Sequence, residues 1–578
     1  MANFYKDNED IQFHLHHTDF TEIVGYYEDG LAQREQHPYA PESVSDAIDS
    51  YERVLSMIGE LAGDFIAPRA ESVDREGNVL KDGRVTYARG ISESLQMLSK
   101  ADLMGFTLPR KYGGLNLPNL IYTMAIEIVS RADASLMNIF GLQGIAETIN
   151  AFADEGLKNE YLPRFCTGEI TGAMALTEPD AGSDLQNVKL KATETANGIW
   201  LLNGVKRFIT NGCGEVLLVL ARSEPDREGG LGLSIFICER SDKVRVRRLE
   251  DKLGIHGSPT CELQFNDAPA RLIGERQRGL IYGMALMNGA RIGIAAQALG
   301  IAQAAFNAAR AYAYTRQQFG KRIERIPPVA DMLTDMRVSI EAARALTYEG
   351  SRVVDLEIGM HRRSESDQAT DPEERKNLKG HIRSVKRLAA HLTPMAKYYS
   401  TEMCNKVASD AIQVLGGSGY MRDYPVERHF RDARITNIYE GTSQLQVVAA
   451  VGGVVSGVAE KRFAELGETK YARPLSGLAK KLERARKWLG AAVESAKRGG
   501  LEYTDLCARK LVDMATDIMI GYLFLQAATK SKRKAIIAKR FIGQLLPRAK
   551  MNHDQIRTGD RSSLKEFGWI VGPPLEVS

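Results

Sequence analysis

Glu440 stands in the run Tyr439-Glu440-Gly441-Thr442, where a glycine permits close approach of the backbone to a ligand. A nonpolar wall at such a place desolvates a carboxylate and moves its pKa toward the working pH, which is what a general base requires. The tetrapeptide alone is equally compatible with one exposed acid among the 73 Asp and Glu of the chain. A second candidate is the stretch from Thr177 to Asp184, TEPDAGSD, whose hydroxyls, acid and exposed amides suit a ligand with polar edges and phosphate. Taken by itself it also reads as a turn with a helix cap. Arg316 lies four residues before Gly320 at the end of a helical run, where a guanidinium can grip pyrophosphate with two prongs or simply be a surface arginine. Arg291 opens a strongly periodic helix, and helix-surface and substrate-site readings weigh evenly there. No GxGxxG follows a strand-like run, and there is no P-loop and no HExxH, so Rossmann, Walker and zincin chemistry have no support.

The elements that position these residues follow from periodicity. Residues 1–42 are polar and read as a lead-in. Residues 43–172 carry apolar residues at three- and four-residue steps, with a break near Asp133, and form a helical domain. Residues 173–278 switch to short strand-like runs, with Asn203-Gly204 as a hairpin turn between two of them, and predict a β-barrel or sandwich. Helical periodicity returns over residues 279–455, interrupted by a densely charged stretch at 359–386 that reads as an exposed loop, and continues as a basic helical extension over 456–578. The fold class is therefore α+β and multi-domain. The formal net charge of +3 is too small to imply a polyanionic partner for the whole chain. The six cysteines, at 166, 213, 238, 261, 404 and 507, form no CxxC pair and no metal-ligand spacing with histidine, so they read as reduced core thiols in a cytoplasmic protein with no metal. An N-terminus of acids and histidines, and the lack of eighteen consecutive apolar residues, argue against a signal peptide or a spanning helix.

Four stretches in order carry a resemblance to the acyl-CoA dehydrogenases: Ala175 to Asp184 (ALTEPDAGSD), Arg207 to Gly212 (RFITNG), Thr315 to Lys321 (TRQQFGK), and Gln413 to Tyr420 (QVLGGSGY) followed by Arg431 to Gln444 (RDARITNIYEGTSQ). The similarity covers roughly residues 45–455. It implies a helical N-terminal domain, a central β-barrel, a four-helix-bundle domain and FAD as cofactor. It also implies Glu440 as the base that removes the α-proton of an acyl-CoA while hydride leaves the β-carbon. By the same resemblance Met174, Leu176, Thr177, Gly182, Ser183, Phe208, Thr210, Thr442 and Gln444 contact the flavin dinucleotide, Thr210 lies near the hydride-accepting atom, and Ser183, Arg291 and Gly441 line the substrate site. Many relatives carry Trp where this chain has Phe208, which keeps the apolar wall with a smaller ring. Some place their base immediately before the arginine equivalent to Arg291; here that residue is Ala290, which leaves Glu440. Arg316, Phe319, Gln413 and Gly417 match residues that reach a neighbouring subunit's cofactor, which implies a homo-oligomer, and the extension favours a dimer over a tetramer.

The resemblance further implies fatty-acid metabolism by β-oxidation, with electrons passing to an electron-transfer flavoprotein. The long form resembles a subgroup that includes fatty acyl-CoA and 3-methylthiopropanoyl-CoA dehydrogenases. An oxygen-using oxidase and a DNA-associated protein of the same fold are the alternatives. In the extension, 24 Lys and Arg stand against 13 Asp and Glu. Its segment 530–546 mixes cations with apolar residues at helical spacing and reads first as a solvated helix face, then as a peripheral membrane contact. Nucleic acid is not expected, since aromatics for base stacking are sparse there.

Overall fold

The computed structural model describes residues 2–142, 144–365 and 372–574. The first 42 residues are folded against the rest. Helices α1 (Glu9–His17) and α2 (Thr21–Tyr27) bury Ile11, Leu15, Phe20, Ile23 and Val24 in the core of the N-terminal domain. Their polar composition conceals five apolar side chains at helical steps, enough to seat two short helices. Helix α3 (Val44–Glu60) begins where Ser43 Oγ accepts from Asp46 N at 3.1 Å, and it buries Ala47, Tyr51, Leu55 and Ile58 along one face. Helix α4 (Arg89–Lys100) covers the domain's side. Helix α5 (Asn119–Ala132) is apolar on nearly every face and runs through the centre. Asp133 ends it and caps α6 (Ala134–Gly141) by accepting from Ser135 N and Leu136 N. Helices α7 (Gly144–Phe152) and α8 (Glu155–Thr167) lead into the sheet.

Seven strands follow: β1 (Gly172–Ala175), β2 (Lys191–Glu194), β3 (Trp200–Thr210), β4 (Val216–Arg222), β5 (Leu233–Glu239), β6 (Val244–Leu249) and β7 (Thr260–Ile273). Pairings β4–β2, β2–β3, β3–β7, β7–β5 and β5–β4 close a ring, with β1 added in parallel to β4 and β6 to β7. Asn203-Gly204 is not the expected hairpin turn. It lies inside β3 at a register shift against β7, where Asn203 Nδ2 donates to Asp267 Oδ1 at 2.8 Å and Asp267 N to Asn203 Oδ1 at 2.9 Å. Gly204, at φ +143°, faces Leu190 so closely that a Cβ would lie 3.1 Å from its Cα. Asn-Gly here serves a bulge and a close approach of chains instead of a reversal.

The bundle comprises α9 (Gly279–Thr315), α10 (Pro327–Glu365), α11 (Pro372–Leu415) and, after the short α12 (Val426–Thr436), α13 (Ser443–Val455). Most of the charged stretch at 359–386, expected as a loop, is the end of α10 and the start of α11; residues 366–371 lie outside the described residues. Charge there marks solvated helix turns: Arg362 and Arg363 sit in the last turn of α10, where cations complement the carbonyl end, and Arg362 lies over the Tyr27 ring.

The extension is α14 (Val458–Gly467) followed by the mutually packed α15 (Leu475–Arg498), α16 (Leu501–Ala528) and α17 (Lys532–Arg557), whose apolar core is continuous with that of the bundle. Helices α9 and α16 are long and apolar enough to cross a membrane, but 83% and 72% of their apolar windows are buried within the protein. Of the six cations in the basic segment 530–546, three are paired within the protein, while Lys530, Lys532 and Lys539 are exposed. Lys534 pairs with Asp10 and Glu341, Arg533 with Glu341, and Arg540 with Asp331 and Asp335. Asp10 also meets the fully buried Arg344, which pairs with Glu127, so α1, the bundle, α5 and α17 share one buried charge network. All six cysteines are free thiols.

Candidate active site

Three domains meet at the turn between α12 and α13, and Glu440 is in that turn. Its φ of +53° and the +92° of Gly441 are both in the left-handed region, a conformation that costs a non-glycine residue about 1–3 kcal/mol and persists only when held by its surroundings. Three hydrogen bonds from two side chains do the holding. Gln446 Nε2, from the first turn of α13, donates to the carbonyls of Glu440 and Gly441 at 3.1 and 3.0 Å. Lys397 Nζ, from α11, donates to the Gly441 carbonyl at 2.5 Å. Gly441 is required twice over, by its φ and because a Cβ would lie 2.6 Å from Gln446 Nε2. Thr442 is the N-cap of α13, its hydroxyl accepting from Leu445 N at 3.4 Å, and Ser443 Oγ donates to Glu402 at 2.6 Å.

Tyr439 anchors the other side. Its hydroxyl donates to Gln297 Oε1 of α9 and to Asn138 Oδ1 of α6, and Asn138 Nδ2 donates to Ser258 Oγ in the loop before β7 at 3.1 Å. Helix α12 is fastened to the other domains as well, since Asp432 Oδ1 accepts from Ile255 N at 2.6 Å and Arg431 pairs with Asp74.

Opposing influences act on the Glu440 carboxyl. Burial raises its carboxyl above the usual range, while Lys397 and Arg291 pull it back. Arg291 lies well inside α9 and is 7% exposed; its Nη1 donates to Asn288 Oδ1 at 2.8 Å, and its Nε is buried with no partner among the described residues. A guanidinium with an unused donor, a half-buried carboxyl and a backbone turn held in place together suit a polar, uncharged reacting group.

The second half of the site is in the barrel. Lys206 and Arg207 of β3 grip the loop that follows β1: Lys206 Nζ donates to Leu176 O at 2.8 Å and to Glu178 Oε1 at 2.9 Å, and Arg207 N donates to Thr177 O at 3.0 Å. Glu178 in turn accepts from Lys189 N and Leu190 N. One residue on, β3 bulges against β7, and Phe208 occupies the bulge at φ +61° with half its surface exposed. A bulge re-aims a side chain, and this one presents an aromatic face to solvent two residues before the half-buried Thr210. Asn211, fully buried at φ +52°, closes the bulge by donating to Gly172 O and Thr171 Oγ1 while accepting from Tyr87. An exposed ring, a neighbouring hydroxyl and a fixed loop with exposed Gly182 and Ser183 fit a flat heteroaromatic group with a phosphate tail.

Five expected residues are exposed and take no part in these backbone clamps. Arg316 caps the C-terminus of α9, and Phe319, at φ +51° and 90% exposed, is at the tip of the small hairpin that follows. Gln413 and Gly417 are exposed around the break after α11, and Gln444 is exposed on α13. Lys206, Asn211, Lys397 and Gln446 were not among the expected site residues. For Lys206 the only signal in the sequence is its place in the strand leading to Phe208; Lys397 has none. A cavity of about 670 Å³ lies elsewhere, between α10, α11 and the extension, lined by acids and cations such as Glu402, Asp513, Arg509 and Arg548.

Four family models match the chain in order: "Acyl-CoA dehydrogenase, N-terminal domain" over residues 49–169, "middle domain" over 173–268, "C-terminal domain" over 292–444, and "Acyl-CoA dehydrogenase C terminal" over 456–539. The chain is 37% identical over 397 residues to an acyl-CoA dehydrogenase of Bacillus subtilis, covering 68% of this chain and 94% of that one. It is 32% identical over 453 residues to the 3-methylmercaptopropionyl-CoA dehydrogenase of Ruegeria pomeroyi, covering 72% and 73%. Over the whole fold it is similar to an acyl-CoA dehydrogenase complexed with FAD from Bacillus anthracis, with a TM-score of 0.75, 23% identity and 92% of each chain covered.

Proposed function

This chain belongs to the acyl-CoA dehydrogenase family and is an FAD-dependent oxidoreductase, and we propose that Glu440 is its base, acting on straight-chain or thioether acyl-CoA esters. The carrying observation is the clamped left-handed turn that holds a desolvated carboxyl between two cations at the meeting of three domains. FAD, when bound, supplies the hydride acceptor. Leu176, Thr177 and Phe208 would hold its ring, and Thr210 its polar edge; Gly182 and Ser183 would take the phosphate side. Glu440 removes the α-proton, and burial makes it a stronger base than an exposed carboxylate. The product is the 2,3-enoyl-CoA.

The two electrons then need an acceptor, for which an electron-transfer flavoprotein is the soluble one of the right chemistry. We assign the chain to the cytoplasm, where six free thiols suit a reducing compartment. A homodimer is the assembly we favour, because Arg316, the 90% exposed Phe319, Gln413 and Gly417 are available to a second subunit's dinucleotide. Peripheral membrane contact and DNA binding gain no support from segment 530–546, whose cations Arg533, Lys534 and Arg540 are paired within the protein.

The test is anaerobic mixing of the purified flavoprotein with a panel of acyl-CoA esters, short, medium, long and thioether, following the flavin band and the product mass. Bleaching with loss of two hydrogens from one class of ester identifies reaction and substrate. Rapid reoxidation in air would make the enzyme an oxidase. Failure of every ester to bleach the flavin overturns the substrate assignment.

A further inference from the structure

The turn that carries Glu440 is held by a residue that no motif marks. Lys397 is fully buried in α11, 43 positions before the base, and among the described residues its ammonium makes one hydrogen bond, to the Gly441 carbonyl. No carboxylate lies within ion-pair distance of it among those residues, which is unusual for a buried lysine: the other two, Lys206 and Lys534, are each paired with an acid. A lysine needed only to satisfy one carbonyl is an expensive choice, because Gln446 Nε2 already donates to that same oxygen. Its charge is therefore the property to explain. The groups that share its surroundings are Glu440 itself, Arg291 from α9 and Glu402 one turn further along α11.

We propose that Lys397 is a positioning residue for the base: its ammonium fixes the Gly441 carbonyl, and so the turn, while its charge favours the ionised form of Glu440. This rests on the reading of Glu440 as base. Burial alone favours the neutral form of the Glu440 carboxyl, and two cations, Lys397 on α11 and Arg291 on α9, oppose that without, among the described residues, forming a tight ion pair that would occupy its lone pairs. The same burial lowers Lys397 to about 7, so the pair is poised to share charge near neutrality.

The experiment uses the FAD-loaded enzyme and the acyl-CoA ester that bleaches the wild type fastest, with Lys397→Met and Lys397→Arg beside it. Flavin reduction is followed by stopped flow from pH 5.5 to 9. Loss of the charge raises the acid's pKa, so in Lys397→Met the acid limb of the rate profile moves to higher pH by about one unit. The rate at neutral pH falls by about 10- to 100-fold, and the ester's dissociation constant changes by less than about threefold. Lys397→Arg, which keeps the charge, returns the limb to within a few tenths of a unit of wild type. If Lys397→Met fails to retain flavin, Lys397→Gln replaces it with the same expectations. An unmoved limb in the neutral variant overturns the inference, as does a rate loss that Lys397→Arg does not recover. A wild type that no ester bleaches is a different failure, that of the functional reading itself.

Discussion

Lys206 and Lys397 are both fully buried, and each donates to the carbonyl of a loop that builds the site, yet they are balanced in opposite ways. Lys206 meets Glu178 at 2.9 Å, and Glu178 also takes the amides of Lys189 and Leu190, so charge, donor and acceptors cancel within one knot. Lys397 meets only a carbonyl and leaves its charge to be felt by Glu440. Burial lowers the first to about 8 and the second to about 7, and the order agrees with the presence of a contact carboxylate in one case and its absence in the other. The barrel loop is built to stay put. If Glu440 is the base, as proposed, its loop keeps an unneutralised cation because chemistry happens beside it.

Removing the acid from the balanced knot is expected to have the larger effect on folding. Glu178→Gln strands Lys206 as an uncompensated buried charge, which costs about 3–5 kcal/mol and is read as a lower denaturant midpoint with loss of bound flavin. Lys397→Met, which removes a charge instead of stranding one, should cost clearly less; equal losses would dissolve the distinction between the two lysines. Smaller in stability but sharper in activity is Gly441→Ala. Its Cβ meets Gln446 Nε2 at 2.6 Å in a left-handed turn, so about 1–3 kcal/mol is expected, together with a slowed flavin reduction at nearly unchanged ester affinity. An Ala variant that reduces its flavin at the wild-type rate would show that the turn does not need its clamp.

The balance between local and distant contacts explains what the sequence discloses. Glu440, Phe208, Thr210 and the 175–184 loop sit in short contiguous runs whose residue types announce a ligand, and the order of helical, strand and helical periodicity matches the architecture. Lys397 was not visible, because a buried donor is recognised by an acceptor that folding brings from 44 positions away; the acceptors of Gln446 are only five and six positions before it, but its side chain reaches them only once the turn is formed. The same holds for the cations of α17, which look like a free basic face until Asp10, Asp335 and Glu341 arrive from remote parts of the chain. Asn203-Gly204 misleads for a related reason: its turn chemistry is genuine, but Asp267 on β7 captures Asn203 and converts a reversal into a bulge. Residues 2–42 hide their helices because eight buried apolar side chains are spread through a polar stretch.

The central claim is that the carboxylate of Glu440 takes the α-proton, and Glu440→Gln tests it with the smallest change of shape. Both proteins, loaded with FAD, are mixed anaerobically with the ester that reduces the wild type. The account predicts that the variant still binds the ester, seen as a perturbed flavin spectrum, while bleaching slows by about a thousandfold or more. Bleaching of Glu440→Gln within about tenfold of wild type would contradict it and assign the proton to another group.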